Sequence, residues 1–251
     1  MGSRPETITT LLLDCDNTLV QSESLAFEAS ADLTNEILAA RKVNLNFTGR
    51  YLQREFVGQN FQSMIRAIGA KFNVLCNISD EELEHYASME DDRVISKLMQ
   101  KLEPCEGANA ELERLKGHYR LAVVSSSALR RVRASLEKAG QADFFDPNDV
   151  FSAADSLPVP TSKPDPAVYL HALKTMDKSA GECIAVEDSR SGATSAKRAG
   201  VITVGYTGAC ETPKEAEELR GVLENAGCKF VMSSWDEFPD ILYKIETRLT
   251  E

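Results

Sequence analysis

The 251-residue chain sets 28 Lys and Arg against 39 Asp and Glu, a formal net charge of −11, so its surface repels phosphate backbones and nucleic acid is excluded as an expected partner. Its hydrophobic fraction of 43% and charged fraction of 27% are those of an ordinary globular protein. No apolar run approaches the ~20 residues of a membrane span and no charged-then-apolar segment opens the chain, so a cytoplasmic protein with no membrane contact is expected.

The first element is a buried strand over Thr7 to Leu13, ending on Asp14-Cys15-Asp16. The pattern then turns helical. Leu25, Ala29, Leu33 and Ile37 recur every fourth residue and predict a helix over Ser24 to Ala40. A second helix is expected from Asn60 to Lys71, and a Ser79-x-x-Glu82 capping box opens a third that runs toward Lys101. Residues 21–103 therefore read as an all-helical insertion, too long for a simple crossover, into a core made of 1–20 and 104–251.

From Pro104 strands and helices alternate. Strands are predicted at Tyr119 to Val124, Val150 to Ala153, Cys183 to Val186, Val201 to Val204 and, as an edge, Phe230 to Met232. Helices are predicted at Ala108 to Lys116, along the Leu129, Val132, Leu136 and Ala139 stripe, from Asp165 with Pro166 at the first helical position, at Ser191 to Ala199, and from Thr212-Pro213 to near Gly227. A terminal helix carries Trp235, Phe238, Ile241, Leu242 and Ile245. This alternation implies an α/β fold, a Rossmann-like doubly wound parallel sheet with the helical domain inserted after its first strand. The six cysteines are scattered without a Cys-x-x-Cys pair, which fits free thiols better than a disulfide frame or a zinc site.

Three predicted strands end in chemically loaded residues: Asp14 and Asp16, Ser125 to Ser127, and Glu187 with Asp188. In a parallel sheet these ends share one edge, so residues distant in sequence converge there. Four carboxylates together call for a divalent cation, and oxygen-only ligation suits Mg²⁺. Serine hydroxyls at a turn into the helix near Ala128, beside free N–H groups, form an anion site, with Lys163 on a loop stiffened by Pro164 and Pro166. Taken singly, each feature also has a plain structural reading: a turn cap for Asp14, helix capping for the serines, a surface position for Lys163.

Asp14-x-Asp16-x-Thr18, the apolar strand ending in Ser125, Lys163 in Ser-Lys-Pro-Asp-Pro, and Glu187-Asp188-Ser189-x-x-Gly192 occur in this order. In these the chain resembles the haloacid dehalogenase-like superfamily, in its cap-bearing phosphatase and phosphomutase subgroup. The resemblance implies that Asp14 is a nucleophile forming an aspartyl-phosphate and Asp16 the acid and base. It further implies Mg²⁺ on the Asp14 carboxylate, the Asp16 backbone carbonyl and Asp188, with Glu187 behind them, and phosphoryl oxygens held by Ser125, the Ser126 backbone and Lys163. Asp16 favours phosphate over carbon–halogen chemistry, because halide leaves without a proton.

The cap's substrate loop is matched by Phe56-Val57-Gly58-Gln59-Asn60, with Val57 where relatives commonly carry a cation and Ala26 where phosphomutases carry His. Gly58, Gln59 and Asn60 are candidate substrate contacts suited to sugar or polyol hydroxyls, Asn60 being equally a helix N-cap. The expected protein is a monomeric Mg²⁺-dependent phosphatase for a small phosphomonoester, a sugar, sugar-acid or polyol phosphate. A phosphomutase of the same fold and a non-catalytic phosphometabolite-binding regulator remain open.

Overall fold

The computed structural model describes residues 7–56, 59–75 and 77–250, the side chains of 248–250 excepted. Two compact units emerge, one of residues 1–21 and 103–251, the other of 22–102. In the first, β1 (Thr10–Leu13), β2 (Arg120–Ser125), β3 (Val150–Ser152), β4 (Cys183–Glu187), β5 (Ile202–Tyr206) and β6 (Phe230–Met232) form one parallel sheet in the order β3-β2-β1-β4-β5-β6. This is the Rossmann-like α/β fold that the alternating pattern predicts.

The apolar strands are buried because helices cover both faces of such a sheet. On one face Leu12, Ala122, Val124, Cys183 and Ala185 pack with Val168, Tyr169, Ala172, Leu173 and Met176 of α7 (Ala167–Met176) and with Ala196 of α8 (Arg190–Arg198). Register decides what meets at the carboxyl edge. Leu13 lies opposite Val123 of β2 and Val186 of β4, so Asp14, the end of β2 and Glu187 emerge side by side. The Asp14 amide donates to Val186 O at 3.0 Å and fixes the first residue past the strand.

Several boundaries differ from the sequence reading. The first strand begins at Thr10 rather than Thr7; the Thr9 amide donates to Glu182 O, at the end of a one-turn 3-10 helix, and its carbonyl accepts the Arg120 amide. Pro166 is the N-cap of α7 and not its first residue; the Asp165 carboxylate accepts the Ala167 amide at 2.9 Å and starts the helix there. Trp235 sits in a separate 3-10 turn, Trp235–Glu237, ahead of α10 (Phe238–Thr250), and its buried indole donates to Thr18 O at 3.1 Å. The remaining core helices are α5 (Ala108–Leu115), α6 (Leu129–Lys138) and α9 (Pro213–Ala226). A Thr212/Glu215 capping box opens α9, and Gly227 at φ 112°, a conformation costly for other residues, closes it.

The second unit holds α1 (Glu23–Ala40), α2 (Gly49–Phe56), α3 (Phe61–Phe72) and α4 (Asp80–Lys101) around a core that includes Leu33, Ile37, Leu52, Phe56, Ile65 and Leu83. The buried face of α1 runs through Ala26, Ala29, Leu33 and Ile37, with Leu25 half-exposed at its margin. The sequence pattern does not predict α2, whose eight residues bury only Leu52 and Phe56. Its Gly49 is required by the crossing with α1, since a Cβ there would stand 2.8 Å from the Glu28 amide nitrogen. Ser79 and Glu82 form the expected capping box on α4, and Arg93 spans to Glu36 of α1 with two bonds of 2.7 Å. No described helix is long and apolar enough to cross a membrane.

Leu12 is wholly buried in the sheet core, whereas Arg93 and Glu36 are 34% and 59% exposed in their side chains. Leu12→Ala should therefore lower unfolding stability by about 2–5 kcal/mol. Arg93→Ala should cost about 1 kcal/mol or less, because water screens an exposed pair. Urea denaturation followed by circular dichroism measures both.

Candidate active site

At the carboxyl edge of β1, β2 and β4 a single ammonium organises the side chains. Lys163 Nζ donates to Asp14 Oδ1 at 2.6 Å, to Glu187 Oε1 at 2.6 Å and to Val124 O at 2.7 Å. Those three bonds use all of its donors. Burial alone would push the ammonium down, but Asp14 and then Glu187 outweigh it and hold Lys163 above its ordinary range. Both carboxyls are raised, first by burial and against the opposing effect of Lys163; the neighbouring Asp16 raises Asp14 further.

Asp14 Oδ2 accepts the Thr18 hydroxyl at 3.2 Å. The wholly buried Tyr169 donates its hydroxyl to Glu187 Oε1, and its ring centroid lies 5.5 Å from Lys163 Nζ. Glu187 Oε2, with no hydrogen-bond partner among the described residues, lies against Gly192, where any Cβ would overlap the carboxylate. The glycine of the Glu187-Asp188-Ser189-x-x-Gly192 stretch is thus the space into which Glu187 fits.

One carboxylate oxygen from each of Asp14, Glu187 and Asp188 falls within 4.8 Å of the others. This all-oxygen donor set on a strand edge fits Mg²⁺. The Asp16 carboxylate is not part of that cluster: its Oδ2 accepts the Ser127 hydroxyl at 2.7 Å and its Oδ1 lies 4.0 Å from Arg131 Nη2. Four clustered carboxylates are therefore three. Cys15, between the two aspartates, is fully buried, and burial together with the charges of Asp16 and Asp14 keeps its thiol protonated.

Around the serine turn, Ser125 Oγ accepts the Ser127 amide at 3.0 Å and Ser126 Oγ accepts the Lys163 amide at 3.2 Å. The Ser126 side chain thereby ties the lysine loop to β2. The expected run of free amides at the start of α6 is partly filled, because Asp155, from the loop after β3, accepts the Leu129 amide at 2.6 Å. In the helical unit Gly58 and Val57 lie outside the described residues. Gln59 is exposed, and Asn60 Oδ1 caps α3 by accepting the Ser63 amide at 2.9 Å.

Residues 8–200 match the haloacid dehalogenase-like hydrolase family. The chain belongs to that family. Among its relatives are the 6-phosphogluconate phosphatase of Escherichia coli (strain K12), 29% identical over 194 residues that cover 77% of this chain and 80% of the relative. Another is the validoxylamine A 7'-phosphate phosphatase of Streptomyces hygroscopicus subsp. limoneus, 30% identical over 211 residues, 83% of this chain and 88% of the relative. The crystal structure of a family IA, variant 3 hydrolase from Entamoeba histolytica HM-1:IMSS shares the fold with a TM-score of 0.75 at 22% identity, covering 96% of this chain and 100% of that one.

Within this haloacid dehalogenase-like hydrolase the sequence reading misses Tyr169, Ser127 as the partner of Asp16, Asp155 and Arg131. Tyr169 sits in an apolar helix stripe, and nothing local distinguishes it from a core aromatic. Ser127 and Asp16 are 111 residues apart, so only the register of β1 against β2 reveals the pair.

Gly192→Ala should displace the Glu187 carboxylate from Lys163 and Tyr169 and lower stability by about 1–3 kcal/mol, the usual cost of overpacking. Chemical denaturation reads it; an unchanged midpoint would mean that Glu187 has room to move.

Proposed function

We propose that this hydrolase is a Mg²⁺-dependent phosphatase that cleaves a small phosphomonoester, a sugar, sugar-acid or polyol phosphate, through an aspartyl-phosphate on Asp14. The observation that carries the reading is the division between the two aspartates. Asp14 is buried, bonded to Lys163 and clustered with Asp188, whereas Asp16 is part-exposed and turned to the Ser127 hydroxyl. A carboxylate fixed against a cation suits a nucleophile, and one that reaches solvent suits proton exchange. The relatives named as phosphatases of 6-phosphogluconate and validoxylamine A 7'-phosphate support the substrate class.

In the first half-reaction an Asp14 carboxylate oxygen bonds to phosphorus, the ester P–O bond breaks, and Asp16 gives its proton to the leaving oxygen. In the second, Asp16 takes a proton from water, the water oxygen bonds to phosphorus, and the bond to Asp14 breaks to release phosphate. Ser125 and the Ser126 backbone stand at the turn where phosphoryl oxygens would be held, and Lys163 supplies positive charge next to the reacting carboxylate. Mg²⁺, held by Asp14, Asp188 and the Asp16 carbonyl with Glu187 behind them, would neutralise charge on the phosphoryl oxygens when bound. Water is the acceptor in this reading, because Ala26 stands where phosphomutases carry His.

With a chromogenic phosphate ester, chelation should abolish turnover, Mg²⁺ should restore it, and Ca²⁺, with longer and looser bonds, should inhibit. Full activity in excess chelator would rule the mechanism out. Asp14→Asn should remove both turnover and the acyl-phosphate trapped by rapid quench. Asp16→Asn should slow turnover by roughly 10²–10⁴ while metal binding persists, and a near-wild-type rate would sink its role.

A further inference from the structure

Arg131 lies in the first turn of α6, just past the serine turn, and its side chain is only 18% exposed. Its Nε is fully buried and has no hydrogen-bond partner. Arg93, Arg114 and Arg120 each grip a carboxylate with two hydrogen bonds, to Glu36, Glu111 and Asp149 respectively. Arg131 makes none among the described residues. Its nearest carboxylate is Asp16, at 4.0 Å, too far for a hydrogen bond, and Asp16 already accepts from Ser127. A largely buried guanidinium whose Nε–H is unmet is costly unless something supplies an acceptor.

The position of that guanidinium limits the supplier. Under the phosphatase reading, on which this inference rests, the ester oxygen must come within hydrogen-bond reach of Asp16 to receive its proton. Substrate atoms a few bonds beyond the ester oxygen then come within reach of Arg131. The planar N–H fork matches an oxygen pair. One guanidinium offsets one charge, and Asp14, Asp16, Glu187 and Asp188 make the surroundings hostile to a second dianionic phosphate. A monoanionic carboxylate meets both limits.

We infer that Arg131 receives a carboxylate carried on the leaving alcohol close to the ester carbon, so that phosphorylated hydroxy acids are preferred over neutral phosphoesters of the same size. The smallest such pair is 2-phosphoglycolate and 2-hydroxyethyl phosphate. Arg131 sets specificity here, and the Asp14, Asp16 chemistry is common to both esters.

The test compares these two compounds in two ways. In turnover, Arg131→Gln should reduce the acid-to-neutral ratio of kcat/KM by about 10–100-fold, mostly through KM for the acid, as expected for loss of a charged hydrogen-bonded pair, and Arg131→Lys should recover part of it. In calorimetric binding to Asp14→Asn protein, where no turnover is needed, the preference for 2-phosphoglycolate should be present and should disappear when Arg131→Gln is added. A wild-type ratio at or below one, or a ratio unmoved because both esters weaken together, overturns the inference and assigns Arg131 to support of Asp16. Absence of hydrolysis of either ester and of a chromogenic ester by the wild-type protein defeats the phosphatase reading instead, and the binding comparison still decides the carboxylate.

Discussion

A buried ammonium held by two carboxylates and a carbonyl is the interaction on which the site depends. Its acceptors come from three adjacent strands: Asp14 follows β1, Val124 lies in β2 and Glu187 ends β4. The strand order, with β1 between β2 and β4, is therefore a condition for the site and not just its scaffold. Removing one partner of a buried ion pair typically costs about 3–5 kcal/mol, because the other is left charged and unsolvated. Neither the sheet register nor the site can change without the other.

This arrangement also restricts what Lys163 can offer a substrate. All three of its N–H bonds end on protein oxygens, so under the proposed mechanism it would act on an incoming phosphoryl group through charge unless Asp14 surrendered its bond. In that mechanism directed hydrogen bonds would fall to the serine turn, where Ser126 is itself tied to the Lys163 amide and Asp155 occupies the Leu129 amide. Tyr169 completes the enclosure: its hydroxyl shares Glu187 with the ammonium, and its ring faces that ammonium. The loop that carries Lys163 and the turn that carries the serines are thus one mechanical piece.

The α/β architecture is legible in the sequence because the core strands are short apolar runs and the long helices carry an apolar stripe, as in α1, or a capping box, as in α4 and α9. What fails is short or marginal. Eight-residue α2 buries two side chains, too few for periodicity to register, and Pro166 stands at the N-cap of α7, where the Ala167 amide donates to Asp165 Oδ1. In the site, the residues with unusual composition, Asp14, Lys163, Glu187 and Asp188, stand out, and the structure brings them together. Their supporting partners do not stand out. Ser127, Asp155 and Tyr169 are ordinary residue types whose partners are chosen by strand register and loop path.

Trp235, the sole tryptophan, is wholly buried and packs on Tyr206 and Phe238 while its indole N–H is bonded to Thr18 O, four residues past Asp14. Indole emission responds to the polarity and hydrogen bonding of its surroundings. The chain consequently carries a built-in optical probe with one fluorophore, anchored to the turn that follows Asp14. Any rearrangement of that turn has to stretch or break the Trp235 bond, which makes it visible in real time without a label.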